Sequence, residues 1–158
     1  MGERRSALKL FERAYACQRS GELEDAIRLY QASIAEYPTA EAHTFLGWVY
    51  GMQKRYAEAI TECKRAIAVD PAFGNPYNDI GAYLVELGRK DEAIPWFKRA
   101  TEAPRYDAPQ FPHMNLARIY ESRGQLLEAL AELSQAAEKR PEDPQLVTAI
   151  RRLQARVN

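Results

Sequence analysis

The chain has 158 residues, 46% of them hydrophobic and 28% charged, a composition typical of a folded protein with a core rather than of a disordered one. Its 22 basic and 22 acidic residues cancel, so it lacks the positive excess by which nucleic-acid binders and anionic-membrane binders are recognised. Cys17 and Cys63 form neither a disulfide framework nor a C-x-x-C pattern, and we therefore expect a cytoplasmic protein.

Apolar residues recur along the chain at helical spacing, and no segment alternates at period two for long enough to form a strand. Gly21, Gly88 and Gly124 mark turns between the two helices of a pair. Prolines mark the ends of the pairs, at Pro38, Pro71 and Pro141. The sequence predicts eight helices, at about 5–19, 23–36, 40–53, 56–69, 75–87, 90–103, 110–123 and 126–139.

Residues 144–158 predict a ninth helix of a different kind. Asp143-Pro144 is a helix-start signal, a capping carboxylate followed by proline at the first helical position. A single narrow apolar stripe follows, formed by Leu146, Ile150, Leu153 and Val157. A helix with one apolar stripe after a stack of helices is typical of a cap that covers the apolar face of the last unit.

Three columns of small residues recur in register along the four helix pairs. One column opens each second helix at intervals of 33, 34 and 36 residues, at Ala26, Ala59, Ala93 and Ala129. The other two are Ala14, Gly47, Gly81 and Ala117, and Ser33, Ala66, Ala100 and Ala136. Helix axes approach to about 8 to 10 Å only where the contact side chains are small, so these columns predict helix–helix contacts.

These positions resemble a known repeat family. The residues that carry the resemblance are Leu46-Gly47, Tyr50, Ala59, Ala66 and Pro71, then Ile80-Gly81, Gly88, Ala93, Phe97 and Ala100. They are similar to the tetratricopeptide repeat (TPR), a helix-turn-helix unit of about 34 residues. The resemblance implies an all-α, right-handed superhelix, a TPR solenoid. It forms a single domain over residues 1–158, with repeats at approximately 7–39, 40–73, 74–109 and 110–143 and a capping helix at 144–158.

The segment 104–109 adds two residues before the fourth repeat. One interpretation is a tolerated surface insertion, because loops accept added residues at little cost. The other is that Tyr106 contacts a partner.

The resemblance also implies a function. In this family the first helices of the repeats line a concave groove, and we expect an interaction scaffold or adaptor that binds a peptide or a partner helix there. The alternative is a self-assembling protein or a multiprotein-complex assembly factor. Such a protein would pair end to end or through its final helix, so that homo-oligomers form.

We expect the residue directly after the Leu-Gly position of each first helix, and residues three to four positions on either side of it, to face the groove. The partner-binding residues predicted in this way are Phe11, Tyr15, Thr44, Trp48, Met52, Asn78, Met114, Asn115 and Arg118. Exposed aromatic and Met side chains are typical interface anchors, and Asn amides offer both a donor and an acceptor to a peptide backbone. The alternative is that Phe11, Tyr15 and Trp48 pack between adjacent repeats as core.

Some members of the family that this sequence resembles bind chaperone C-termini through a clamp of Lys, Arg and Asn. The corresponding places hold Phe11, Tyr15, Phe45, Asn75 and Asp79 in one register, and Thr44, Trp48, Asp79, Phe111 and Asn115 in the other. Neither set supplies positive charge, so we expect no clamp of this kind.

No motif of catalysis or of phosphate or dinucleotide binding occurs, so we expect neither an enzyme nor a cofactor. His43 and His113 occupy equivalent places in two repeats where Leu10 and Tyr77 stand in the others, which predicts a packing role and no metal site. No stretch approaches the roughly 20 apolar residues of a membrane span, so we expect no membrane partner.

Overall fold

The structure is a computed structural model that describes residues 1–158. It consists of nine α-helices without a strand, namely α1 (Gly2–Arg19), α2 (Leu23–Glu36), α3 (Ala40–Met52), α4 (Tyr56–Val69), α5 (Asn75–Glu86), α6 (Lys90–Thr101), α7 (Gln110–Ser122), α8 (Leu126–Lys139) and α9 (Pro144–Val157). The predicted helix ends are confirmed to within three residues, and the largest difference is the earlier start of α1. None of the helices combines the length and the apolar composition that crossing a membrane requires.

The turns inside the helix pairs depend on one residue with left-handed backbone. Gly21, Gly88 and Gly124 have φ angles of +80°, +76° and +74°, which glycine adopts without steric cost. The second pair places Lys54 at this position, with φ of +60°. Each turn therefore has the same geometry, and only one of the four is made without glycine.

The small-residue columns lie in the contacts between helices, as the sequence predicts, and all twelve residues are buried. A Cβ at Gly81 would lie 2.5 Å from the Phe97 ring, and one at Gly47 would lie 3.2 Å from the Ala59 carbonyl oxygen. The column that contains Gly47 and Gly81 therefore requires small residues for the close approach of the two helices in a pair.

The pairs stack in chain order, and each contacts only the pairs next to it. The first helices of successive pairs, α1, α3, α5 and α7, also contact one another directly and form one face of the stack. At the far end α9 packs on α8 and buries Leu146 and Leu153, which are 1% and 0% exposed. Arg152 and Arg156 of α9 hold the Glu121 carboxylate of α7, at 2.5 and 2.8 Å.

The insertion before α7 folds back onto the loop between α4 and α5. The Gly74 amide donates to the Arg105 carbonyl at 2.9 Å, and the Arg105 amide donates to the Ala72 carbonyl at 3.1 Å. The Tyr106 ring covers Gly74, where a Cβ would lie 2.5 Å from the ring. Tyr106 is thus partly buried within the chain itself, and the segment does not project as a free loop.

Candidate partner-binding groove

The candidate groove is the face formed by α1, α3, α5 and α7. Its first half carries an aromatic cluster, which we define as Phe11 and Tyr15 of α1 with Phe45 and Trp48 of α3. Phe45 lies at the centre, with ring centroids 5.0 Å from Phe11, 5.7 Å from Tyr15 and 4.2 Å from Trp48. Spacings of three and four residues place both members of each helix on one side, so the two helices meet through these rings.

Trp48 links the cluster to the next repeat. Its ring stacks on Phe45, and its indole nitrogen donates a hydrogen bond to the Asp79 carboxylate of α5. Burial raises the pKa of Asp79 to about 7, and the bond from Trp48 opposes this rise. Phe11 and Trp48 are each partly buried, so both take part in packing between repeats and also retain some exposed surface.

The open edge of the aromatic cluster is formed by Tyr15 and Met52, which are 41% and 55% exposed. The Arg19 guanidinium lies 5.8 Å from the centre of the Tyr15 ring, and the Gln18 amide donates to the Met52 sulfur at 3.8 Å. No neighbouring helix covers these two side chains. They form an apolar surface beside the partly buried Trp48.

The second half of the groove is polar. Arg118 donates to the Asn115 side-chain oxygen, and Asn115 donates to the Asn78 oxygen, both at 2.9 Å. This chain of hydrogen bonds connects α7 to α5. Beside it, where the column that holds Tyr15 and Trp48 continues as Ala82, lies a cavity of about 310 Å³. The groove therefore changes along the chain from aromatic to amide and guanidinium groups.

The prediction that Thr44 faces the groove is wrong, because its side chain is 0% exposed. Asn78 and Met114 are each 8% exposed, so they offer a partner little surface. Thr44, Asn78 and Met114 each precede a small contact residue, Gly47, Gly81 and Ala117, by three positions. Residues three apart share one side of a helix, so these three side chains turn largely towards the helix contact. Partner binding by the other predicted residues stays a prediction.

Two hydrogen-bonded His–Glu pairs lie inside the repeats, and the sequence alone does not predict them. His43 Nδ1 and Glu62 Oε2 are 2.7 Å apart, and so are His113 Nδ1 and Glu132 Oε2. Each pair joins the two helices of one repeat, which agrees with the packing role predicted for the histidines. The signal in the sequence is a Glu placed 19 residues after each His. Nowhere in the structure do three or more potential metal-ligand side chains come together as they would at a metal site.

The sequence profile of the tetratricopeptide repeat matches residues 11–76 and 83–144, which together make up most of the chain. Among solved structures the chain is similar to Pseudomonas aeruginosa pilF, with a TM-score of 0.87 and 18% identity over 99% of this chain and 71% of that one. It is also similar to YrrB, described as a TPR protein with an unusual peptide-binding site, at TM-score 0.69 and 23% identity over 94% and 76% of the two chains.

A third similar structure is the second TPR of Spaghetti (RPAP3) bound to the HSP90 peptide SRMEEVD, with a TM-score of 0.60 and 24% identity over 63% of this chain and 94% of that one. Identities this low establish the fold alone, an all-α TPR superhelix. The profile match goes further, and TPR domains are in general non-enzymatic modules of protein interaction. This chain belongs to the tetratricopeptide-repeat family.

Proposed function

We propose that the protein is an interaction scaffold or adaptor that binds a peptide or a partner helix on its groove face, chiefly through the apolar first half. The observation that carries the proposal is the exposure of Tyr15 and Met52 at the edge of the aromatic cluster. Aromatic and Met side chains that stand in a surface with a packed base are typical of interface anchors. The groove needs no rearrangement to present them.

The polar second half supports orientation rather than affinity. The amides of Asn78 and Asn115 already bond each other, so a peptide backbone would have to compete for them. Arg118 is exposed and retains donors beyond the one used on Asn115. A bound segment would therefore place its apolar residues over Met52 and an acceptor near Arg118.

The test is selection of binders from a displayed library of helical and extended peptides, followed by titration of the best peptide. We expect Met52→Glu and Tyr15→Glu to abolish binding with the helical circular dichroism unchanged, because both side chains are exposed. The matched control is Leu127→Glu on α8, since Leu127 is 69% exposed and lies away from the groove.

A second readout follows the groove directly. Trp48 and Trp96 are the only tryptophans, so in a Trp96→Phe variant the emission reports on Trp48 alone. We expect a bound apolar peptide to shift this emission to shorter wavelength. Peptides that bind without the shift, and that bind Met52→Glu equally well, would contradict the proposal.

We also propose that the protein has no catalytic activity, needs no cofactor and acts in the cytoplasm, where its free cysteines, Cys17 and Cys63, stay reduced. Neither clamp register has a cation, so we expect no salt-sensitive binding of a chaperone tail such as SRMEEVD in the groove. A titration with that peptide at low and high salt checks this.

Self-assembly is the second candidate. The observation in its favour is the exposure of Val147 and Val157 on α9, at 42% and 40%. Against it, α9 turns its two buried leucines inwards and covers the last pair of helices. Light scattering over a concentration series decides between the two, since a monomer at high concentration removes the assembly proposal.

A further inference from the structure

A cavity of about 680 Å³ lies at the N-terminal end of the stack, between the beginning of α1 and the loop that joins α2 to α3. α3 begins at Ala40, which corresponds to Ala7 of the first repeat. α1 begins earlier than this position, at Gly2, and is therefore longer than α3 at its start. The extra turn of α1 places Arg4 and Arg5 on one wall, and Tyr37 belongs to the other wall. Ala7, Leu8 and Phe11 also line the cavity.

The equivalent place in the next two repeats is filled by an aromatic side chain of the chain itself. In the second repeat Phe73, 8% exposed, packs on Ala40 and Ala66. In the third repeat Tyr106 packs on Gly74, which corresponds to Ala40. Both rings come from the loop that leads into the following repeat.

The first repeat has the same small floor but no ring to cover it. Its floor residues, Ala7 and Ser33, correspond to Ala40 and Ala66. The loop after α2 is one residue shorter than the loop after α4, since Pro38 and His43 are five residues apart and Pro71 and Tyr77 are six. When Pro38 is aligned with Pro71 and Thr39 with Ala72, the shorter loop has no residue at the position of Phe73, and Thr39 is too small to cover the floor as a ring does.

The charge at the cavity is positive. Arg4 donates to the Tyr37 hydroxyl at 2.7 Å and lies over its ring, and neither Arg4 nor Arg5 is among the arginines that form ion pairs. Those arginines are Arg28, Arg55, Arg65, Arg89, Arg105, Arg123, Arg152 and Arg156. The single carboxylate of the lining, Glu41, lies 3.7 Å from Arg105.

The filled second repeat shows which chemistry this arrangement takes. The Arg105 guanidinium lies 4.3 Å from the centre of the Phe73 ring and pairs with Asp70 at 2.6 Å. An aromatic ring, an arginine over it and a nearby carboxylate thus stabilise one another there. The first repeat supplies the small floor and the arginines but not the aromatic ring with its acidic neighbour.

We propose that this cavity is a second binding site, which takes the Phe or Tyr side chain of an acidic segment from a partner protein. The guest ring would occupy the place that Phe73 fills in the next repeat, and its acidic neighbours would pair with Arg4 and Arg5. The volume is that of an ordinary ligand pocket, about 300 to 1,000 Å³, and it admits residues beside the ring. The cavity shares Phe11 with the aromatic cluster but does not include Tyr15, Trp48 or Met52, so variants at those three residues distinguish binding in the cavity from binding in the groove.

The test uses a fluorescein-labelled peptide, EDPAFGE, built around the native sequence Asp70–Gly74. We expect saturable binding by fluorescence anisotropy, weaker by at least about tenfold when Ala replaces the Phe of the peptide. Reversing the wall charge with Arg4→Glu and Arg5→Glu should weaken binding as much, and added salt should weaken it too. Arg151→Glu, at an exposed position of α9, is the matched charge control and should leave peptide binding unchanged.

A phenylalanine inserted after Thr39 gives the first repeat its own ring, and it should abolish peptide binding while raising the melting temperature. Should the insertion fail to fold, Leu8→Glu, at a wall residue that is 56% exposed, serves instead. The proposal is overturned if the Phe and Ala peptides bind alike, or if neither variant weakens binding. It is also overturned if Met52→Glu abolishes binding, or if the insertion dissolves a dimer, which would make a second copy the occupant.

Discussion

Lys54 is the single non-glycine residue with left-handed backbone, and it stands in the turn position that Gly21, Gly88 and Gly124 occupy in the other repeats. An L-residue in this conformation costs roughly 1 to 2 kcal/mol, which glycine avoids at some cost in chain entropy. We expect Lys54→Gly to raise the free energy of unfolding by about 0.5 to 1 kcal/mol, measured by urea titration. The reciprocal control, Gly88→Lys, should lower it, and two changes of the same sign would contradict this explanation.

Asp79 provides a pH dependence at the scale of one residue. Its carboxyl titrates near pH 3.9 in the unfolded chain, whereas burial raises its pKa to about 7 in the folded chain. Between these values the folded state holds a proton that the unfolded state releases. The stability that this proton contributes is complete below about pH 4 and is lost as the pH rises to about 7.

The variant Asp79→Asn isolates this effect, because the amide oxygen still accepts the hydrogen bond from Trp48 while the side chain no longer ionises. We expect the variant to be more stable than wild type at pH 8 and to lose this advantage by pH 4, in thermal melts. The ionisable neighbours of Asp79 are Cys63, Tyr83 and Tyr106, and none is a cation that could reverse the sign. A difference in melting temperature that stays constant from pH 4 to 8 would contradict a raised pKa of Asp79 in the folded chain.

At the scale of helix pairs, two equivalent positions, one on each helix, alternate in chemistry from repeat to repeat. They hold Leu10 and Leu29 in the first repeat, His43 and Glu62 in the second, Tyr77 and Trp96 in the third and His113 and Glu132 in the fourth. The same backbone positions therefore accept either an apolar or a polar, hydrogen-bonded pair. Burying polar groups costs desolvation energy that their hydrogen bond only partly offsets.

This alternation predicts that a single variant lowers the free energy of unfolding, whereas the matching double variant does not. Glu62→Leu alone leaves the polar His43 ring buried without its hydrogen-bond partner and should lower the free energy of unfolding by about 1 to 3 kcal/mol. The double variant His43→Leu/Glu62→Leu, which copies the first repeat, should recover this loss or exceed wild type in urea titrations. His113→Leu/Glu132→Leu is the comparison, and Glu132→Leu alone should cost less because the Glu132 side chain is 17% exposed and Glu62 8%. If the free-energy losses of the single variants simply add in the double variant, the two side chains do not act as a pair.

The helices and their small contacts could be predicted because the same features occur four times. The packing role of Gly47 and Gly81 can be inferred from Ala14 and Ala117, which hold the same position in the other repeats. The groove could be predicted only in part. The spacing of Thr44 from Trp48 predicts a place in the groove, whereas its spacing of three residues from Gly47 puts it on the buried side of α3. Contacts between repeats, such as Trp48 with Asp79, join residues 31 apart and leave no periodic signal.

At the scale of the whole molecule, each helix pair contacts only its neighbours in the chain. The apolar core follows this order, in separate clusters around Tyr30 and Leu46, around Ile80 and Phe97, and around Leu133 and Leu153. Stability in such a stack is approximately a sum of the units and their interfaces. Opening can therefore begin at either end without disrupting the other end.

Native-state hydrogen exchange of Leu153→Ala tests this architecture. Leu153 is 0% exposed, so its truncation should lower the free energy of unfolding of the last unit by about 2 to 5 kcal/mol, without a loss in the distant units. We expect the amides of α7, α8 and α9 to exchange faster while those of α1 to α4 keep their wild-type protection, because no contact crosses between these regions. Ile80→Ala, in the middle of the stack, is the control and should speed exchange on both sides. Equal acceleration of all nine helices by Leu153→Ala would mean that the chain unfolds as one cooperative unit, with the end helix as essential as the centre.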